Sequence, residues 1–202
     1  MIRVWIRCLL SVCLAAVLLL GSPAIAQANP DSGVLAKAVQ SIEELDSMRS
    51  GLASYLETDP EQPTAETMKK VCKPVGMKAQ QLSQENGWQV KQISNKYRNP
   101  AHAPDGPASR KALARFERDA ELMGFWQAET LGEQAGTRYY RRIDVEASCL
   151  ACHGGRAGRP EFVKNNYPED LAYNFKEGDL RGMYSVFMPE MQAALQDALT
   201  QS

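Results

Sequence analysis

Two thiols and an imidazole fall within five consecutive residues, Cys149-Leu150-Ala151-Cys152-His153. Thiols a short turn apart reach the two vinyl groups on one edge of a porphyrin, and the next residue then carries an imidazole to its iron. The spacing is that of covalent haem attachment in c-type cytochromes. It predicts one covalently attached haem c, joined through Cys149 and Cys152, with His153 as the near axial ligand.

The chain opens with a secretory pattern. Arg3 and Arg7 are followed by an almost wholly apolar run from Leu9 to Leu20, and Ser22-Pro23-Ala24-Ile25-Ala26 ends in a small-x-small cleavage signal. The mature chain is expected to begin at Gln27, with Asn29 as the alternative start. The apolar run is short for a membrane span and no second one follows, so the mature chain is expected to have no span and to reside in the periplasm; an uncleaved anchor is the other reading. Neither Cys8 nor Cys13 stands at the cleavage point, and both leave with the leader. Secretion disfavours a zinc site built from Cys149, Cys152, His153 and Cys72, and the lack of a βαβ pattern disfavours a thioredoxin-like pair.

Beyond residue 26 lie 176 residues, enough for one domain with a real core. Without Arg3 and Arg7 there are 21 basic against 24 acidic residues, a formal charge of −3. No basic stripe points to nucleic acid. Three cysteines remain, an odd number in an oxidising compartment. Cys72 is the one left over, and the count leaves three readings open: a buried inert thiol, which the count alone favours, half of an intermolecular disulfide, or a thiolate ligand on the opposite face of the iron.

Other side chains have paired readings. His102 is a rival distal ligand, or an exposed bystander in a Pro-rich loop. Met183 and Met188, at strand spacing, are rival ligands or core. Lys96, Arg98 and Arg181 are candidates to bind haem propionates, because guanidinium and ammonium groups match carboxylates, or else solvated surface. Trp126, Tyr139 and Tyr140 line the haem pocket or fill the core.

These residues must be positioned by helices around a small sheet. Leu35, Val39, Ile42, Leu45, Leu52 and Leu56 form an apolar seam, which predicts a long amphipathic helix over 31–57. A second helix is expected over 64–86, carrying Cys72, with Pro74 bending or breaking it. Strands are expected over 88–93, 125–130, 138–145 and 182–187. Helices are expected over 108–123, with Leu113, Phe116 and Ala120 inward, and over 189–199. A turn-rich loop spans 97–107.

The order of motifs is distinctive: Cys72 on a helix, Gly87-Trp88, Lys96-Tyr97-Arg98-Asn99-Pro100 with Pro104-Asp105, Cys149-Leu150-Ala151-Cys152-His153-Gly154, Tyr167-Pro168-Glu169-Asp170, and Phe175-Lys176-Glu177-Gly178-Asp179-Leu180-Arg181-Gly182. Together they resemble a bacterial family of single-haem c-type proteins with a PAS-like fold, a domain also found as the sensor part of histidine kinases. The resemblance covers 64–188. It implies an α+β fold, a PAS-like antiparallel sheet flanked by helices, here behind a long N-terminal helix. It also implies a low-spin haem held by His153 and Cys72, which raises Cys72 from leftover thiol to sixth ligand.

The expected organisation is a signal peptide over 1–26, a helical extension over 27–63 and a PAS-like haem domain over 64–202. The chain ends at Ser202 with no kinase behind it, so a signal is expected to leave through a redox or signalling protein partner. The expected function is redox or small-ligand sensing, with electron-transfer cytochrome as the alternative and no enzymatic activity. The seam of the first helix packs on the domain's own core or on a second copy, giving a homodimer.

Overall fold

The computed structural model describes residues 32–58 and 61–189. The leader and the terminal helix expected beyond Pro189 lie outside the described residues. The first long helix, α1 (Ser32–Ala53), pauses at Ser54 and continues as the single turn α2 (Tyr55–Thr58). Its seam is the predicted one: Ile42 and Leu45 are fully buried, while Leu35, Val39 and Leu52 are half-buried against the same cluster.

Helix α3 (Ala65–Asn86) starts where a reciprocal cap forms, Thr67 N–H donating to Thr64 Oγ at 3.2 Å and Thr64 N–H to Thr67 Oγ at 3.0 Å. It stops at Gly87, whose φ of +66° is the left-handed cap that glycine adopts without strain. Pro74 lies inside this helix and does not break it. Losing one backbone donor there is outweighed by two sound caps and by Val71 and Val75 buried on either side.

Strand β1 (Gln89–Ile93) follows, then a 3-10 turn at Pro100–His102 and helix α4 (Pro107–Arg118). Helix α4 ends five residues before the predicted limit, because Asp119 accepts the Glu121 N–H at 3.1 Å in a turn of its own. Ala120 is therefore exposed rather than inward. Strands β2 (Gly124–Leu131) and β3 (Gln134–Asp144) form a hairpin across Gly132, which turns at φ +64°. After β3 come a 3-10 turn at Ala147–Cys149, the short helix α5 (Leu150–His153), a 3-10 turn at Arg156–Gly158, helix α6 (Glu161–Asn166) and strand β4 (Leu180–Pro189).

The four strands are antiparallel in the order β1-β4-β3-β2. Strand alternation sends Tyr139, Tyr184, Val186 and Met188 to one face, beneath α1 and α3, and Tyr140 and Met183 to the other, beneath α4 with Leu113 and Phe116. This is the α+β, PAS-like arrangement expected, with helices flanking an antiparallel sheet and the long N-terminal helix built into its core. No described helix is long and apolar enough to cross a membrane.

Candidate functional site

The Cys-x-x-Cys-His run leaves the sheet at the end of β3. Val145 donates to the Asp179 carbonyl at 2.9 Å and accepts from Gly178 N–H at 2.8 Å, so the segment ahead of the motif is tied to the turn that starts β4. Helix α1 holds the other side. Glu146 accepts from Arg49 Nη2 at 2.6 Å and from Ser50 Oγ at 2.8 Å, and Arg49 Nη1 approaches Cys149 Sγ at 3.9 Å. Gly154, directly after the histidine, has no room for a side chain: a Cβ would lie 2.7 Å from the Leu150 carbonyl oxygen.

His153 is oriented by one bond. Its Nδ1 lies 2.8 Å from the Ala172 carbonyl oxygen, an acceptor only, so Nδ1 carries the proton and Nε2 keeps its lone pair. Arg98 Nη2 also lies 3.3 Å from Nδ1, but a guanidinium only donates, and its donation goes to the Cys152 carbonyl at 2.8 Å. Burial, then the positive charges of Arg181 and Arg98, hold the imidazole well below its ordinary pKa and hence neutral. The Phe175 ring meets His153 edge-on, with centroids 6.1 Å apart. A neutral imidazole with a fixed tautomer and a free Nε2 is the form that binds a metal.

Cations crowd this site. Lys96 Nζ sits 3.8 Å over the Phe175 ring, and the Arg181 guanidinium is 5.5 Å from the same ring. Asp170, with a fully buried carboxylate, pairs with Arg159 at 2.8 Å and Arg98 at 3.4 Å and accepts the Ala172 N–H at 3.0 Å. Arg181 donates to Ser94 Oγ and the Lys96 carbonyl, both at 3.2 Å, and has no carboxylate partner among the described residues. Burial and the like charge of Arg98 lower its pKa to about 10.

Cys72 comes to this site from α3. Its side chain is exposed to solvent at the surface, and the protein packed around it raises the thiol above its ordinary value. Arg98 and Arg181 pull the other way, and Cys149 is near enough to act on it. Burial pushes the Cys152 thiol up to about 11, with Cys72 and Cys149 contributing. The fold thus gathers Cys72, Lys96, Arg98, Cys149, Cys152, His153 and Arg181 from four segments. No group of three or more His, Cys, Asp or Glu side chains among the described residues is gathered closely enough to hold a bare metal ion.

The remaining candidates lie elsewhere. His102 is exposed, its Nδ1 2.9 Å from the Gln92 carbonyl oxygen. Met183 and Met188 are buried in the two core clusters, as are Tyr140 and Tyr139. Trp126 is a correction: it is 50% exposed at the sheet edge, its ring tilted against Tyr139 with centroids 5.7 Å apart, and neither lines the site nor fills the core. Asp170, the Ala172 carbonyl, Arg49 and Glu146 carry the site's geometry without having been singled out. Asp46 and Arg49 on the buried side of α1 were the available signal for the last two.

The family model described as Tll0287-like: Tll0287 matches residues 27–189. The chain belongs to the Tll0287-like family. The crystal structure of the cyanobacterial heme-protein Tll0287 matches with a TM-score of 0.71 at 50% sequence identity, covering 79% of this chain and 96% of that one. No curated protein matches. The Tll0287-like match takes in α1 as well as the sheet, in keeping with the burial of Ile42 and Leu45 in the common core.

Proposed function

We propose that this Tll0287-like chain is a periplasmic c-type haem protein that senses redox state or a small ligand. In this reading Cys149 and Cys152 would bond one haem, His153 Nε2 and Cys72 Sγ would hold its iron, and Lys96, Arg98 and Arg181 would meet its propionates. The observation that carries it is the 2.8 Å bond from His153 Nδ1 to the Ala172 carbonyl, which fixes the tautomer a proximal ligand needs.

The residues fit such a group. Asp170 pairs with Arg98 and Arg159, while Lys96 and Arg181 have no carboxylate within pairing distance among the described residues, so four cations face one carboxylate and the site favours an anionic guest. A haem supplies propionates for that charge and an iron that accepts electrons and axial ligands. Cys72 is the switching residue. Burial disfavours its anion while Arg98 and Arg181 favour it, so Cys72 would be the residue whose hold on a bound iron depends on the iron's charge. The expected leader over 1–26 belongs to the same proposal, with 27–63 an N-terminal segment whose helix packs into the core of 64–202, as do a signalling or redox protein partner and a homodimer.

A Cys72→Ala variant tests the sensor reading. The expected result is an altered ferric spectrum and a raised reduction potential, because a thiolate stabilises ferric iron. An unchanged spectrum and potential would return Cys72 to a structural role and favour an electron carrier with some other sixth ligand.

A further inference from the structure

The two edges of the sheet are treated differently. Strand β1 is covered: Val90 N–H donates to Ser83 Oγ at 3.1 Å, the Gln92 carbonyl oxygen lies 2.9 Å from His102 Nδ1, and Ser94 N–H donates to the His102 carbonyl at 2.9 Å. Strand β2 pairs only with β3, and no other described residue bonds to its backbone. It is eight residues long, contains neither lysine nor proline, and exposes Trp126, Gln127 and Ala128 in succession. Its one charge, Glu129, is turned inward and paired with Arg138 at 2.7 Å. With that charge neutralised by its pair and no lysine, proline or bulge on the strand, an edge of this length is a template for another strand.

Beside that edge, between β2 and α4, runs an open groove of about 570 Å³. Phe125 and Gln127 line it from the strand, and Lys111, Ala114, Arg115 and Arg118 from the helix. Arg115 stacks on Phe125 at 4.1 Å, and Arg118 Nε donates only to the Ala114 carbonyl. None of these three cations has a carboxylate partner among the described residues. Glu117, the acid of the groove, is engaged by Asn95 at 2.9 Å.

We propose that β2 and this groove form a docking site for an extended, acidic segment of a partner protein, which adds as a fifth strand to the sheet. Backbone bonding to the β2 edge supplies affinity. Alternate side chains of the added strand point into the groove, where acidic residues meet Lys111, Arg115 and Arg118; the small apolar residues between them lie on the opposite face, the side of Trp126. A second copy is the poorer occupant. Its own β2 offers no free carboxylate, and symmetric pairing brings one basic α4 toward the other. The proposal needs nothing of the cofactor. Through Asn95, next to Lys96, the same groove is one hydrogen bond from the cation cluster of the candidate site.

The test uses the mature haem-loaded protein and a fluorescein-labelled heptapeptide alternating glutamate and valine, read by anisotropy. We expect binding at least about tenfold tighter than for the lysine–valine counterpart, and a loss of about tenfold in a Lys111→Glu, Arg118→Glu double variant of unchanged circular dichroism. N-methylating alternate peptide bonds should abolish binding, because it removes the strand pairing. Absence of binding at millimolar peptide, or binding indifferent to charge reversal or to N-methylation, would overturn the proposal. So would a dimer in analytical ultracentrifugation that Gln127→Pro dissociates, since the edge would then belong to a second copy.

Discussion

Asp170 is the anionic centre of the site, and its carboxylate answers Arg98 and Arg159 with no access to water. Replacing it by asparagine leaves two guanidinium groups short of a partner and is expected to cost about 3 kcal/mol, read as a lower urea midpoint; an unchanged midpoint would show that the pairs contribute nothing. Arg181 acts differently, because no carboxylate pairs with it directly among the described residues and Asp170 acts on it only at longer range. An Arg181→Met variant of the haem-loaded protein is expected to lower the reduction potential by on the order of tens of millivolts, since removing a nearby cation disfavours the added electron. A potentiometric titration showing no fall would place Arg181 outside the field of the iron. The three motif residues were legible in the sequence because their spacing is itself the chemistry. Ala172 was not, since any residue supplies a carbonyl and only the path of the chain aims it. Nor does the Tyr167-Pro168-Glu169-Asp170 run announce which of its two acids is buried.

At the scale of elements, α1 is part of the core rather than an appendage. Leu45 is fully buried, so Leu45→Ala is expected to cost about 2–4 kcal/mol, measured by urea unfolding, whereas a helix merely resting on the surface would lose far less. Its seam could be read from the spacing of its leucines, as could both ends of α3 from Thr64 and Asn86-Gly87. The passage of α3 through Pro74 could not, because a local penalty was outweighed by burial that the sequence does not display. Pro74→Ala should therefore stabilise the protein by about 1–3 kcal/mol by restoring a backbone bond; a loss of stability would mean that the proline shapes α3 usefully, beside Cys72. The Lys91–Asp105 pair, which ties β1 to the loop before α4, gives a small acid dependence. Partial burial acts to raise the Asp105 pKa, but hydrogen bonds from Lys91 and Ser109 outweigh it and hold the carboxyl below its ordinary value. The stability from this pair is present above the ordinary carboxylate range and lost as pH falls through the lowered value. It amounts to about 0.5 kcal/mol, because both groups are solvated, and Lys91→Met should remove that part of the acid limb.

The whole molecule joins a pattern that reads along the chain to a pairing that does not. The seam of α1 and the strands β2 and β3 are local and were visible, though β3 begins at Gln134, before the expected 138, while the placement of β4 between β1 and β3 joins segments far apart in sequence. That crossing brings Arg181 at the start of β4, Lys96 and Arg98 after β1, and His153 after β3 to one end of the sheet, with Cys72 arriving on α3. The site is thus a consequence of topology, and the leucine seam, the turn glycines and the motif histidine are the parts that a linear reading reaches. Membership of the Tll0287-like family agrees with that construction over residues 27–189. The central claim is that His153 and Cys72 share one covalently held iron. The most direct test is the electron paramagnetic resonance spectrum of the ferric mature protein, produced with haem-maturation machinery, beside that of Cys72→Ala. The account predicts a low-spin thiolate signal that the substitution abolishes. A His/Met or bis-His signal unchanged by the substitution, or a chain that retains no covalent haem, would contradict it.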